Sequence, residues 1–102
     1  MPKKHGQTGG PAEQAFGRLL RELRRQRGLT QEQLAEQSGC DRGYVGLLER
    51  GINSPTLSML FQLALALEVR PSLLLFEVEA EIDEAQPLPS TGLVRINQGP
   101  LT

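Results

Sequence analysis

Tryptophan is absent from this chain, and histidine and cysteine each occur once. The aromatic residues are three phenylalanines and one tyrosine, so a folded core must be mostly leucine and alanine. The single cysteine, Cys40, excludes an internal disulfide framework and suits a reducing compartment. His5 has no second histidine or cysteine beside it, so no metal site is expected there. The serines lack a histidine partner, and no glycine-rich phosphate loop follows a strand pattern. Neither an enzyme nor a cofactor-binding protein is expected. No apolar run reaches the roughly 18 residues of a membrane span, and no basic-then-apolar leader opens the chain. With 102 residues there is room for one small core. The expectation is a single cytoplasmic domain, away from membranes, that works by binding.

What is present is unevenly distributed. The net charge is −1, yet residues 1–50 carry nine Lys/Arg against six Asp/Glu, and residues 51–102 carry two against six. A cationic first half and an anionic second half suit a polyanion that meets only the first, although chance in a short chain gives the same picture. Residues 1–10, MPKKHGQTGG, have no periodicity and read as a flexible arm. Its Lys3, Lys4 and His5 either touch phosphates or are simply solvated.

The stretch over residues 30–51, TQEQLAEQSGCDRGYVGLLERG, reads as two short helices joined by a tight turn. Thr30 is an N-cap hydroxyl, with Gln33 three residues on to complete a capping box. Leu34 and Ala35 share one face, and Gly39 suits the left-handed conformation such a turn needs. Asp41 then caps a helix over Arg42–Arg50 that points inward at Val45 and Leu48. Arg42, Gly43, Gly46 and Leu47 have no core to bury against. Two glycines in a helix cost roughly 1 kcal/mol each relative to alanine, so close approach to a partner surface is a candidate reason for them. Cys40, in the turn, is either a small packing residue or a redox sensor.

Three further helices flank this pair. From Pro11 or Ala12 to Arg27, Phe16, Leu19, Leu20 and Leu23 recur at helical spacing, and Gly28 stops the run. Arg18, Arg21, Arg25 and Arg27 fall outside that stripe, toward water. A fourth helix is expected from about Leu57–Met59 to Leu67, with Leu57, Leu60, Leu63, Ala64 and Leu67 closing the core. Pro71 starts a fifth, running to Glu77, and the acidic residues 78–84 can extend it by a turn or two. More leucine is present than one small core needs. Leu65, Leu73, Leu75 and Phe76 cannot all point inward, and such a surplus marks either a partner interface or a surface covered by the chain's own tail. The segment Leu93–Ile96 alternates weakly, as a short strand would, but a loosely ordered tail is the reading preferred.

The ordered series Gly28-Leu29-Thr30-Gln31, Leu34-Ala35, Ser38-Gly39, Tyr44-Val45, Leu48-Glu49-Arg50-Gly51 and Ser54-Pro55-Thr56-Leu57, continued through Leu63–Leu67 and Val69–Ser72, resembles the lambda-repressor/Cro-like family of bacterial and phage regulators, also called the xenobiotic-response-element family. The resemblance covers about residues 13–77. It implies an all-α, five-helix DNA-binding domain over residues 11–77, with a flexible N-terminal arm and an acidic C-terminal tail over residues 78–102 as a possible dimerisation extension. It implies a structural pair between Arg24 and Glu49, tying the first helix to the third.

The resemblance also assigns a DNA-binding surface: Gln31, Asp41, Arg42, Gly43, Tyr44, Gly46, Leu47 and Arg50. Arg42 would fork onto guanine, Leu47 would meet a thymine methyl, Gln31 would reach phosphate, and Tyr44 would bond a phosphate or a base. This chain departs from the family pattern at Gly43 and Gly46, where polar residues are common. The function implied is a sequence-specific transcriptional regulator of double-stranded DNA, a homodimeric repressor on a palindromic operator. Its dimer interface would use Leu65, Leu73, Leu75 and Phe76. The alternative is an antitoxin or interaction module whose leucine-rich face holds a toxin or a protein antagonist.

Overall fold

The computed structural model describes residues 9–85 of the chain. The lysines and histidine of the arm and the weakly alternating segment Leu93–Ile96 lie outside the described residues. Five helices follow one another: α1 (Pro11–Gln26), α2 (Gln31–Ser38), α3 (Arg42–Glu49), α4 (Leu57–Leu67) and α5 (Pro71–Ala85). No strand occurs among the described residues.

Local chemistry sets most of the boundaries. Thr30 Oγ1 accepts from Gln33 N at 3.0 Å, and Gln33 Oε1 accepts from Thr30 N at 2.9 Å, so α2 opens on a reciprocal capping box. Gly39, at φ 81°, ends α2 in the left-handed conformation that a Cβ would disfavour. Thr56 caps α4 through Met59 N at 3.0 Å. The turn after α4 is made by Glu68 at φ 61°, a left-handed residue that is not glycine. Its carboxylate reaches Arg27 at the end of α1, at 2.6 Å.

One core joins all five helices. Phe16 and Leu20 of α1 meet Leu34 of α2, Val45 and Leu48 of α3, Leu63 and Leu67 of α4, and Leu74 of α5. α1 packs on α3 and α5, α2 packs on α3 and α4, and α4 on α5. The α1–α3 approach is close at Gly17, where an added Cβ would lie 2.5 Å from the carbonyl oxygen of Leu48. α3 is thus clamped from behind by α1, and its other side is left outward.

The structure corrects several expectations. Leu57, assigned to the core, is 71% exposed. The core stripe of α4 is Leu60, Leu63, Ala64 and Leu67, and Leu57 belongs to a second stripe with Phe61 and Leu65. It stands at the rim of a groove with Phe16, Leu75 and Val78 rather than beneath it. Gly9 and Gly10, assigned to the arm, are held in place. Gly9 N donates to Gly51 O at 2.6 Å, Gly9 O accepts from the Gln14 amide, and Gly10 N donates to Glu13. The helical extension expected over residues 78–84 is present, with buried Val78 and partly buried Ile82 continuing the inner stripe of α5, so the boundary drawn at residues 77/78 falls inside that helix. Arg27 and Arg50 are C-caps rather than helical residues.

Candidate nucleic-acid interface

α3 is two-sided. Val45 and Leu48 are fully buried, while Arg42, Gly43 and the C-cap Arg50 are exposed. Gly46 and Leu47 are half-buried at the margin. An ideal Cβ at Gly43 would find its nearest neighbour, Asp41 Oδ1, at 4.0 Å, and one at Gly46 would find Gln31 Oε1 at 3.9 Å. Unlike Gly17, these two glycines are not required by internal packing. Each leaves α3 about 1 kcal/mol less stable than alanine would.

Asp41 occupies the N-cap, its carboxylate accepting from Tyr44 N at 3.4 Å. Tyr44 is half-buried against the core rather than freely outward. Burial pushes its hydroxyl pKa up, nearby Cys40 adds to that, and the backbone of Thr56 opposes it. Cys40 is itself half-buried, its Sγ 3.5 Å from Ser38 Oγ.

Behind α3 lies a buried ion cluster. Arg24 Nε donates to Glu49 Oε2 at 2.5 Å and Nη2 to Oε1 at 3.0 Å, a two-bond fork. Arg24 Nη1 also donates to Leu29 O at 2.8 Å, so the guanidinium holds the loop before α2. The Gln31 amide donates to Glu49 Oε1 at 2.9 Å, and Arg21 Nε lies 3.5 Å from the same oxygen. No buried side-chain nitrogen or oxygen among the described residues is without a hydrogen bond. Burial alone would raise the Glu49 pKa. The hydrogen bonds from Arg24 and Gln31, with the charges of Arg24 and Arg21, outweigh it and hold the carboxyl below its ordinary value. Conversely, the bond to Glu49 raises the Arg24 pKa against its own burial.

The Arg24–Glu49 pair is therefore present, and it does more than join α1 to α3. The roles of Gln31 and Arg21 in it were not foreseen. Their signal was faint: Arg21 sits one turn before Arg24, on a helix rich in arginine. Leu65, Leu75 and Phe76 lie well exposed on α4 and α5, and Leu73 is at the edge of exposure. Phe61 joins them, a residue that an i, i+4, i+8 count from Leu57 to Leu65 would have exposed.

Residues 20–74, which include the capped helix α2, the left-handed glycine turn and α3 with its bare outer face, match the helix-turn-helix family model HTH_3. The chain belongs to the helix-turn-helix family. That family is one of DNA-binding transcriptional regulators rather than enzymes. The chain is 49% identical over 47 residues to the uncharacterized HTH-type transcriptional regulator y4dJ of Sinorhizobium fredii, covering 46% of this chain and 61% of that one. It thus spans about three-fifths of that relative's length. The restriction-modification controller protein C.AhdI of Aeromonas hydrophila is similar in structure at a TM-score of 0.60 and 48% identity, over 61% of this chain and 94% of that one. SinR, a master regulator for biofilm formation solved in complex with DNA, aligns at a TM-score of 0.57 and 26% identity, over 59% and 97%. α2 and α3 both lie inside the stretch that the family model matches. No single helix among the described residues is long and apolar enough to cross a membrane.

Proposed function

We propose that the protein is a sequence-specific transcriptional regulator that lays α3 in the major groove of DNA and acts as a homodimeric repressor on a palindromic operator. The observation that carries this reading is the outer face of α3. Two glycines that the fold does not need leave the backbone bare between Arg42 and Arg50. A helix in the major groove meets a distinct donor and acceptor pattern at each base pair. Arg42, at the first helical position, forks onto guanine, and Leu47 meets a thymine methyl. Gly43 and Gly46 let the helix lie deep. Asp41 and Tyr44 hold the entry of the helix, and Arg50 and the free side of the Gln31 amide meet phosphate.

One such helix reads only a few base pairs, too few to find a single site in a genome. A two-fold axis that sets two reading helices roughly 34 Å apart doubles the information and demands a palindrome. The exposed residues Leu57, Phe61, Leu65, Leu75 and Phe76 form the face we assign to that axis, on helices other than α3. A dimer seated on overlapping promoter DNA represses by occupancy, with no further activity needed, and its partner sets the protein in the cytoplasm. The test is selection of bound duplexes from a random library. Two inverted half-sites about one helical turn apart are expected, and a single asymmetric half-site would overturn the dimeric reading. Co-purification of one small neighbouring protein on the α4–α5 face, with loss of the homodimer, would favour the antitoxin reading instead.

A further inference from the structure

Arg18, Arg21 and Arg25 fall at i, i+3 and i+7 and so share one exposed stripe of α1. With Glu22 and Gln26 they line a surface groove. Like charges at these spacings repel and weaken a helix. Only part of that repulsion is answered within the chain. Arg18 pairs with Glu81 of α5, and Arg21 leans on the already engaged Glu49. Arg25 has no acidic partner at ion-pair distance among the described residues. The stripe therefore carries more positive charge than the fold uses.

Its place in the molecule indicates what meets it. The Glu49 oxygen nearest Arg21 also accepts from Gln31, the first residue of α2. Arg21 is thus one carboxylate away from both the start of α2 and the last turn of α3. Arg25 lies one turn further along α1, about 6 Å on, toward the Leu29–Thr30 loop that leads into α2. One end of the stripe is tied to α5 through Arg18 and Glu81, and from Arg21 onward it borders the α2–α3 surface assigned to DNA.

We propose that Arg21 and Arg25 of α1 form a phosphate ridge, gripping the DNA backbone beside the bases that α3 reads. This rests on the assignment of α3 to DNA. Guanidinium groups fork onto phosphate oxygens and stay charged at any working pH. Such contacts fix register and add affinity without reading sequence. The ridge is a second, sequence-blind surface on a helix outside the helix-turn-helix pair.

The experiment is a fluorescence-anisotropy titration of the full chain on its selected duplex and on a scrambled one, from 50 to 200 mM salt. The variants are Arg25→Gln, Arg21→Gln and the charge-keeping Arg25→Lys. Each neutralised contact should reduce the slope of log affinity against log salt by about 0.9 per half-site engaged. That narrows the gap between wild type and variant by about threefold across this salt range for each half-site. Both duplexes should lose affinity by the same factor, and Arg25→Lys should keep the wild-type slope. Thermal melts of the Gln variants control for folding. Slopes unchanged in both Gln variants overturn the ridge, as does a loss confined to the selected duplex, which would mean base reading. Unchanged slopes with a weakened self-association would hand the stripe to the acidic α5 of a second copy and equally overturn it. If wild type itself does not prefer its selected duplex, the assignment of α3 fails, a result separate from the slope of the variants.

Discussion

The two ends of this domain solve the same packing problem with different chemistry. Around α1, α2 and α3 the closing layer is ionic: Arg24, Arg21 and Gln31 converge on one buried carboxylate, Glu49. Around α4 and α5 the outer layer is apolar and left open, with Leu57, Phe61, Leu65, Leu75 and Phe76 all exposed. An ionic cluster needs its full set of partners in one geometry, so it fixes where α2 and α3 stand relative to α1. An apolar surface is indifferent to fine geometry but leaves water only when something covers it. In the function proposed above, the first end meets DNA and the second meets another copy of the chain.

The largest effect expected is from breaking the ionic end. Glu49→Ala leaves a buried guanidinium without its partner and should destabilise the domain by about 3–5 kcal/mol, read as a lower denaturant midpoint. A change below about 1 kcal/mol would mean the pair is not needed to hold α1 to α3. The same cluster predicts an acid limit. Folding lowers the Glu49 pKa from its ordinary 4.5, so its stabilisation is fully present above that value. It is lost as pH falls further, through the lower value of the folded state. Glu49→Gln should flatten that part of the stability–pH curve, and a curve unchanged by the substitution would contradict it.

At the apolar end, the double change Leu75→Asp and Phe76→Asp should leave helix content and the core intact while converting the proposed dimer to monomers. Sedimentation decides this one: a wild type that is already monomeric at tens of micromolar refutes it. Smaller effects belong to α3. Arg42→Ala should lose about 1–3 kcal/mol of affinity for the selected site and relax one base position per half-site. Equal binding by parent and variant would move the base contact to another residue. Smallest is a change of opposite sign in stability and function. Gly43→Ala and Gly46→Ala should each raise stability by about 1 kcal/mol yet weaken DNA binding. A melt that rises with binding unharmed would mean the bare backbone has no close partner.

The helices themselves were legible because their signals are local. Thr30 with Gln33, Gly39, Thr56 and Pro71 mark helix ends through hydrogen bonds and φ preferences within four residues. Helical spacing picked out Leu34 and Ala35 of α2 and Val45 and Leu48 of α3, and in α1 Phe16 and Leu20, while Leu19 and Leu23 of the same stripe are only partly buried and Ala15 and Gly17 are buried beside it. α4 defeated that count because Leu57, Phe61 and Leu65 make a second stripe beside the core stripe. Spacing alone cannot say which of two stripes meets the rest of the protein. The end of α5 was open for a similar reason: Val78 and Ile82 sit among glutamates, and only α1 lying alongside makes them worth burying.

The sequence by itself determined the order of the helices and the starts of α2, α3 and α5, the two-sided character of α3 and the separation of positive from negative charge. Those properties depend on neighbours along the chain, where geometry is set by 3.6 residues per turn. Only the tertiary structure decided that Gln31 and Arg21 share Glu49 with Arg24, that Gly17 must be bare while Gly43 and Gly46 need not be, and that Leu57 stays outside. Each of these turns on how closely two helices approach, a distance set by the packing of the whole core and encoded in no single stretch of it.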